Sequence, residues 1–333
     1  MDRNKWKDIG TRILAVSALP LAAYALFAAI CAVLGIPGFS SAANLQVVLR
    51  TTIYNSFITW AFAFNLGNGR FDFSIGSVMV LSNIIAVQLT QLWNLNALGM
   101  LAMFILAGLV LGAASGVLYI VLQVSPMVSS IGVTMIFEAL TSILTGGNGV
   151  IMIGRNDLLI FASFPAILLL CLSVLVIVIY ITRFTAFGYH FNALSGGQAV
   201  SVSVGINERR NALFCYILAG GLMACAGIVN FSVLGTCQPK TGLSSASYMM
   251  NAFLPLFIGM ALSRYTDRSF GIMIGALTQA LITSGFTKLG ISSTLQSVLN
   301  AVIVLGFLFV ETNGFKVQER RMFAEKRKTL GLS

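Results

Sequence analysis

The chain has 333 residues, of which 57% are hydrophobic and only 9% charged. A soluble domain carries roughly 25% charged residues, so this composition excludes a soluble enzyme or soluble binding domain and predicts an all-α polytopic membrane protein. The net charge of +10 invites a nucleic-acid reading, but excess Lys and Arg in a membrane protein marks cytoplasmic loops, and no nucleic-acid partner is expected.

A transmembrane helix needs about 20 apolar residues, and on that scale ten stretches qualify as spans. The first covers about 13–34 and bends at Pro20, where the helix loses a backbone donor. It is long enough to span and no small-residue cleavage site follows, so a retained helix is expected rather than a signal peptide. After the turn GIPGFSSA, the second covers about 47–66 and ends at the loop GNGRF; the third covers about 73–89 and the fourth about 98–122. Ser125-Pro126 opens the fifth, to about 144. Its Ser, Thr and Gly content predicts packing against protein instead of lipid. The polar stretch TGGNGVIMIGRND leads to a purely aliphatic sixth span, about 158–181, that reads as lipid-facing. A hydrophilic interruption at 187–210 separates the halves. The seventh (about 212–234), a short, polar-edged eighth (about 249–262), the ninth (about 270–286) and the tenth (about 295–310) complete a single transmembrane domain over 13–311. Residues 1–12 form a basic amphipathic segment for the inner membrane surface, and 312–333 a basic cytoplasmic tail.

Ten spans place both termini on one side, and charge decides which. That side holds Arg3, Lys5, Lys7, Arg12, Arg70, Arg183, Arg209, Arg210, Arg264, Arg268, Lys316, Arg320, Arg321, Lys326, Arg327 and Lys328, leaving Arg50, Arg155, Lys240 and Lys288 opposite. The bias puts both termini and the 187–210 loop in the cytoplasm. That loop contains Gly188, Gly196, Gly197 and Gly205, and its central segment, 193–204, is expected to form a short helix. A weak internal echo links Phe73-Ser74-Ile75-Gly76 to Arg268-Ser269-Phe270-Gly271. Internal repeats are common in transporters.

Few residues offer chemistry. Asp72 sits where the third span begins and reads first as a carboxylate stabilised by free helix N–H groups, with a role in substrate or proton handling as the second reading; Ser74 could cap in the same way. Glu138 lies well inside the fifth span. An ionisable group there marks a functional site by default, and a structural hydrogen bond to a neighbouring helix weighs equally. Arg50 snorkels at the outer end of the second span. Asn55, Ser56, Asn65, Asn83, Gln88, Thr134, Asn251, Gln279 and Thr283 dot the apolar runs. They suit either a path for a polar solute or interhelical hydrogen bonds. The five cysteines read as buried thiols, and the single His190 cannot build a metal site alone. Leu194-Ser195-Gly196-Gly197-Gln198 spells the signature pentapeptide of ATP-binding-cassette ATPases. No phosphate-binding loop G-x-x-x-x-G-K-[ST] accompanies it, and so short a loop leaves no room for an ATPase domain.

Four ordered segments resemble the membrane permease subunit of a bacterial ATP-binding-cassette importer of the ribose/galactose/xylose type, related more distantly to branched-chain amino-acid and nucleoside permeases. Gly69-Arg70-Phe71-Asp72-Phe73-Ser74-Ile75-Gly76-Ser77 is similar to that family's G-G-I-D-L-S-V-G-S, and Ser125-Pro126-Met127-Val128-Ser129-Ser130-Ile131-Gly132 to N-P-F-I-x-T-L-G. Thr185-Ala186-Phe187-Gly188, Ala193 through Ala199 and Gly205-Ile206-Asn207 resemble T-x-F-G, A-x-G-G-N-x-x-A and S-G-I-N; Gln238-Pro239-Lys240-Thr241-Gly242 resembles Q-P-x-x-G. The pentapeptide then becomes a variant of A-L-G-G-N. The resemblance implies a ten-helix fold like that of the vitamin B12 importer and a partner permease copy, identical or related. It also implies two ATPase subunits that bind ATP and Mg, a periplasmic substrate-binding protein, and no cofactor on this chain. It makes Ala193, Leu194, Ser195, Gly196, Gly197, Gln198, Gly205, Ile206 and Asn207 the ATPase-coupling residues. Candidates for the translocation pathway are Asn55, Asn65, Asp72, Ser74, Thr134, Glu138 and Asn251. Departures fall at Arg70, in place of a Gly, and after the Q-P-x-x-G turn, where the family has an acid and this chain has Tyr248-Met249-Met250-Asn251. The alternative is an ion-coupled secondary transporter using Glu138 or Asp72; a purely structural scaffold has no need for polar side chains along so many spans.

Overall fold

In hydrocarbon every backbone N–H and C=O must be satisfied within the protein, which makes helices the solution for each apolar run. The computed structural model describes residues 3–309; the tail expected at 312–333 lies outside them. In chain order the helices are α1 (Arg3–Val33), α2 (Ala42–Leu66), α3 (Ser74–Leu92), α4 (Ala97–Leu122), α5 (Pro126–Thr145), α6 (Ala166–Phe184), α7 (Ala186–Gly196), α8 (Gln198–Ser203), α9 (Glu208–Leu234), α10 (Ala246–Met250), α11 (Phe253–Leu262) and α12 (Arg268–Lys288), then α13 (Ser293–Phe309). Seven of them, α1, α3, α4, α5, α6, α9 and α12, are long and apolar enough to cross a membrane. The protein is a polytopic all-α membrane protein. Its only described sheet is an antiparallel ribbon of β1 (Val150–Ile151) and β2 (Thr236–Cys237), with Val150 opposite Cys237.

α9 forms the centre. Its apolar window is 78% buried, against 11% for α1. α4 meets it along a seam of small residues. A Cβ on Gly112 would lie 2.4 Å from the Tyr216 carbonyl oxygen, and one on Gly220 would lie 2.2 Å from the Gly108 oxygen. Such contacts exclude any side chain and let dispersion act between backbones, the usual device of helix association in membranes.

Five expectations are corrected. The sixth span does not start at 158: Ile160–Ala162 form a 3-10 turn and α6 begins at Ala166, because Pro165 has no N–H to give and sits best at a helix start. α6 buries Ile167, Leu170, Cys171, Val174, Leu175 and Val178 on one face, so only its other face is free for lipid. α5 does not pack wholly on protein. Its small and polar residues Ser129, Ser130, Thr134, Glu138 and Thr141 are buried, while Met135, Ile136, Leu140 and Ile143 are exposed. The loop helix expected over 193–204 is two helices, α7 and α8, broken at Gly197. The eighth span is likewise divided, into α10 and α11.

Candidate functional site

Between α2 and α3 the chain is exposed only at Gly69. Residues Gly67–Phe73 turn inside the fold, with Asn68, Arg70 and Asp72 all buried. Asp72 closes the turn. Its Oδ2 accepts from Asn65 Nδ2 at 2.7 Å, and its Oδ1 accepts from the Ser74 backbone N–H at 2.8 Å and Ser74 Oγ at 2.7 Å. The carboxylate therefore joins the end of α2 to the start of α3 and satisfies a free N–H of α3. Arg70, counted from sequence as a cytoplasmic surface charge, is 2% exposed and directs Nη2 to Cys215 Sγ at 3.3 Å. Asn68 Nδ2 donates to Asn211 Oδ1 at 3.1 Å. A one-water-sized cavity beside this cluster is lined by Asp72, Ser74 and Val78 together with Gly112, Tyr216 and Gly220, which puts the start of α3 level with the middle of α9.

Glu138 performs the matching task for the segment after β2. Its Oε2 accepts from the Leu243 backbone N–H at 2.9 Å; its Oε1 accepts from the Ser245 backbone N–H at 2.8 Å and Ser245 Oγ at 2.5 Å. Both carboxylate oxygens are engaged, and the side chain is 2% exposed. Gly76 lets this segment reach α3, since a Cβ there would fall 2.0 Å from the Ser245 carbonyl oxygen. Lys240 N–H donates to Thr141 Oγ1 at 3.3 Å, one turn along α5 from Glu138.

The remaining pathway candidates separate. Asn55 is buried and reaches Gln279 Oε1 on α12 at 3.5 Å. Thr134 is buried and donates to the Ser130 carbonyl of its own helix. Asn251 alone of the seven is exposed, at the break between α10 and α11. No sequence signal had pointed to Leu243 or Ser245 as the partners of Glu138.

The hydrophilic interruption is a bracket attached to α2. Ser195 Oγ donates to the Gly67 carbonyl oxygen at 2.7 Å. Phe191 packs edge-on against Phe64, ring centroids 5.6 Å apart, and would collide with any Cβ on Gly67. Leu194 is buried while Ala193, Ser195, Gly196, Gln198, Gly205 and Asn207 are exposed, and Gly197 and Ile206 are half-buried. Asn207 caps α9 by accepting from the Arg210 N–H at 3.0 Å. α8 and its C-terminal end hold Val200, Val202 and Val204 exposed. In the exposed turn after β1, hydrogen bonds from Arg155 hold the Asp157 carboxyl below the usual carboxylate range.

These features, a helical membrane fold with an amphipathic bracket on its polar side and irregular segments folded into its interior, define a membrane transport subunit. Residues 44–310 match the family described as branched-chain amino acid transport system / permease component, and the chain belongs to that family. It is a multi-pass permease of the bacterial inner membrane. It is similar to the ribose import permease of Haemophilus influenzae, 27% identical over 81% of this chain and 85% of that protein. The ribose import permease of Escherichia coli K12 is 26% identical over 83% of this chain and 87% of its own length. The D-allose transport permease of the same organism is 24% identical over 70% of this chain and 72% of its own length. No solved structure is a significant match.

Proposed function

We propose that the chain is the membrane-spanning subunit of an ATP-binding-cassette importer for a monosaccharide. The family match over 44–310 supports the permease role, and relatives named for ribose, D-allose and xylose support the solute. In this reading all ten apolar segments cross the membrane in a vitamin-B12-importer-like arrangement, with both termini and the α7–α8 bracket in the cytoplasm. Two permease copies, or this chain and a related one, work with two ATPase subunits that hold ATP and Mg and with a periplasmic substrate-binding protein. The observation that carries the coupling is the bracket itself. Val200 and Val204 stand one helical turn apart and both are exposed; an apolar pair rimmed by polar residues on an aqueous loop fits a protein contact. α8 is the element that enters the ATPase, and α7 passes the displacement to α2 through Phe191 and Ser195.

The test is a pull-down of the tagged chain from mild detergent with mass spectrometry, repeated with Val200→Asp/Val204→Asp. A P-loop ATPase should be recovered in about equal amount with the parent chain and lost with the variant, while insertion stays intact. Recovery of the chain alone after crosslinking, together with ion-driven sugar uptake by the purified protein in liposomes, would overturn the reading in favour of a secondary transporter.

A further inference from the structure

The segment from Gln238 to Asn251 holds only the five-residue helix α10, exposes polar side chains at intervals along its length, and reaches a depth where no lipid-facing segment can have those properties. The depth follows from three contacts. Ser245 touches Gly76. Gly76 adjoins the cavity that Ser74, Ile75 and Val78 share with Ala219 and Gly220. Gly220 is twelve residues past Glu208 in a helix of 27, so about 18 Å along a rod of about 40 Å. Glu138 adds an independent bearing: it grips Leu243 and Ser245 from well inside α5. The chain thus dips from β2, at the end of α9, to the middle of a hydrocarbon layer about 30 Å thick.

Along this descent Gln238, Thr241, Ser244, Ser247 and Asn251 are exposed. Irregular backbone at such depth is tolerated only where it is buried in protein or lines a water-filled cavity, and among the described residues of this chain nothing covers these side chains. Lys240 sharpens the point. Its ammonium stands 6.0 Å from the Tyr248 ring centroid, and among the described residues no carboxylate lies within ion-pair distance of it. Lys240 enters the descent three residues after β2, and an ammonium there without a carboxylate partner keeps its donors for a passing solute.

We infer that this re-entrant strip lines the aqueous solute path, and that Lys240 is its specificity-determining residue, donating to the oxygens of a polyhydroxylated solute while the Tyr248 ring offers an apolar face. An ammonium has three donors and no acceptor, so it suits a solute rich in acceptor oxygens. Tyr248 is tied to Lys240 by the cation–π contact, so the ring and the donor are presented together. The solute class rests on the sugar-importer reading; the aqueous lining does not.

The experiment has two arms. In a cysteine-free version of the full chain in native membranes, Thr241→Cys and Ser247→Cys should react with a charged, membrane-impermeant thiol reagent. Val110→Cys and Leu169→Cys, on exposed apolar faces of α4 and α6, should react only with an apolar maleimide. Labelling of Thr241→Cys and Ser247→Cys by the apolar reagent alone, or by neither, overturns the lining. In the second arm, uptake of labelled ribose, allose and xylose is measured in cells carrying the intact system. Lys240→Met should raise the apparent KM at least tenfold and change the order of preference among the sugars, with Lys240→Arg restoring part of the loss. Unchanged KM and preference in Lys240→Met overturn the role of Lys240. If the parent system moves none of the three sugars, the monosaccharide reading fails and with it the role given to Lys240, while the labelling arm still decides whether the strip is aqueous.

Discussion

Replacing Glu138 separates a structural acid from an ion-coupling one. Its carboxylate accepts three hydrogen bonds, from the Leu243 N–H, the Ser245 N–H and Ser245 Oγ, and each bond to a charged acceptor is worth about 1.5–3 kcal/mol net. In Glu138→Gln one oxygen survives and can keep Ser245. The new NH2 then faces the Leu243 N–H, donor against donor, and leaves a backbone group unsatisfied at about 1–3 kcal/mol. With the weaker acceptor on the other side, the loss sums to about 2–4 kcal/mol. At roughly 2 °C per kcal/mol for a protein of this size, the thermal midpoint of the complex in detergent should fall by about 4–8 °C. Glu138→Ala orphans all three donors and should fall further. The same carboxylate acting as an ion carrier predicts the reverse pattern: a stable Glu138→Gln protein that has lost uptake. A midpoint within about 1 °C of the parent, with uptake abolished, would refute the clasp.

Two further perturbations test the interior. Gly112→Ala must open the α4–α9 seam from 2.4 Å to a normal carbon–oxygen contact of about 3.3 Å. Overpacking of that kind costs about 1–3 kcal/mol, so the thermal midpoint should fall, whereas Gly132→Ala, with nothing within 4 Å of its Cβ, should leave it level or raise it. In Asp72→Asn one amide oxygen remains to accept from the Ser74 N–H and Oγ, while the new NH2 faces Asn65 Nδ2, donor against donor. An unsatisfied buried donor costs about 1–3 kcal/mol, so the thermal midpoint should fall, and Asp72→Ala, which orphans all three donors, should fall further. An unchanged midpoint in Asp72→Asn, read by the same melting assay, would show that the α2–α3 turn does not depend on these bonds.

Much of the helical framework is legible in the residues because hydrocarbon imposes one solution on an apolar run. Hydropathy finds the stretches that become α1–α6, α9 and α11–α13, and boundary errors arise where a local rule outweighs hydropathy, as Pro165 does at the start of α6 and Gly197 does between α7 and α8. The glycine spacing of Gly108, Gly112 and Gly116 also contains the α4–α9 seam, since residues four apart share a helix face. The sites are less legible. GNGRFDF and QPKTGLSS have the Gly, Asn, Ser and Lys content of any water-exposed turn, and a re-entrant segment has the same composition. Only the partners distinguish them: Asn211 and Cys215 for the first, Glu138 and Gly76 for the second. Arg70 shows the consequence. Counted as a surface charge it supports the topology, yet the structure buries it. The echo between residues 73–76 and 268–271 did contain something real. Asp72 and Asp267 each accept from the backbone N–H of a serine two residues on, at 2.8 Å in both places, so the similarity is one of helix-start chemistry.

The two buried acids also bear on where the energy for transport originates. A carboxylate that carries a proton or a sodium ion through a cycle must release its protein donors when the ion arrives. Asp72 has both oxygens committed to Asn65 and Ser74, and Glu138 has both committed to Leu243 and Ser245. Releasing either set of bonds would free the α2–α3 turn or the re-entrant strip at every turnover. The residues best placed for ion coupling are therefore the ones whose hydrogen bonds hold the interior in place. The described mechanical connection runs elsewhere, from the exposed valines of α8 through Phe191 and Ser195 to Gly67, five residues before Asp72. On the proposed reading, force arriving at α8 would reach the α2–α3 turn by this route with the hydrogen bonds of both acids intact.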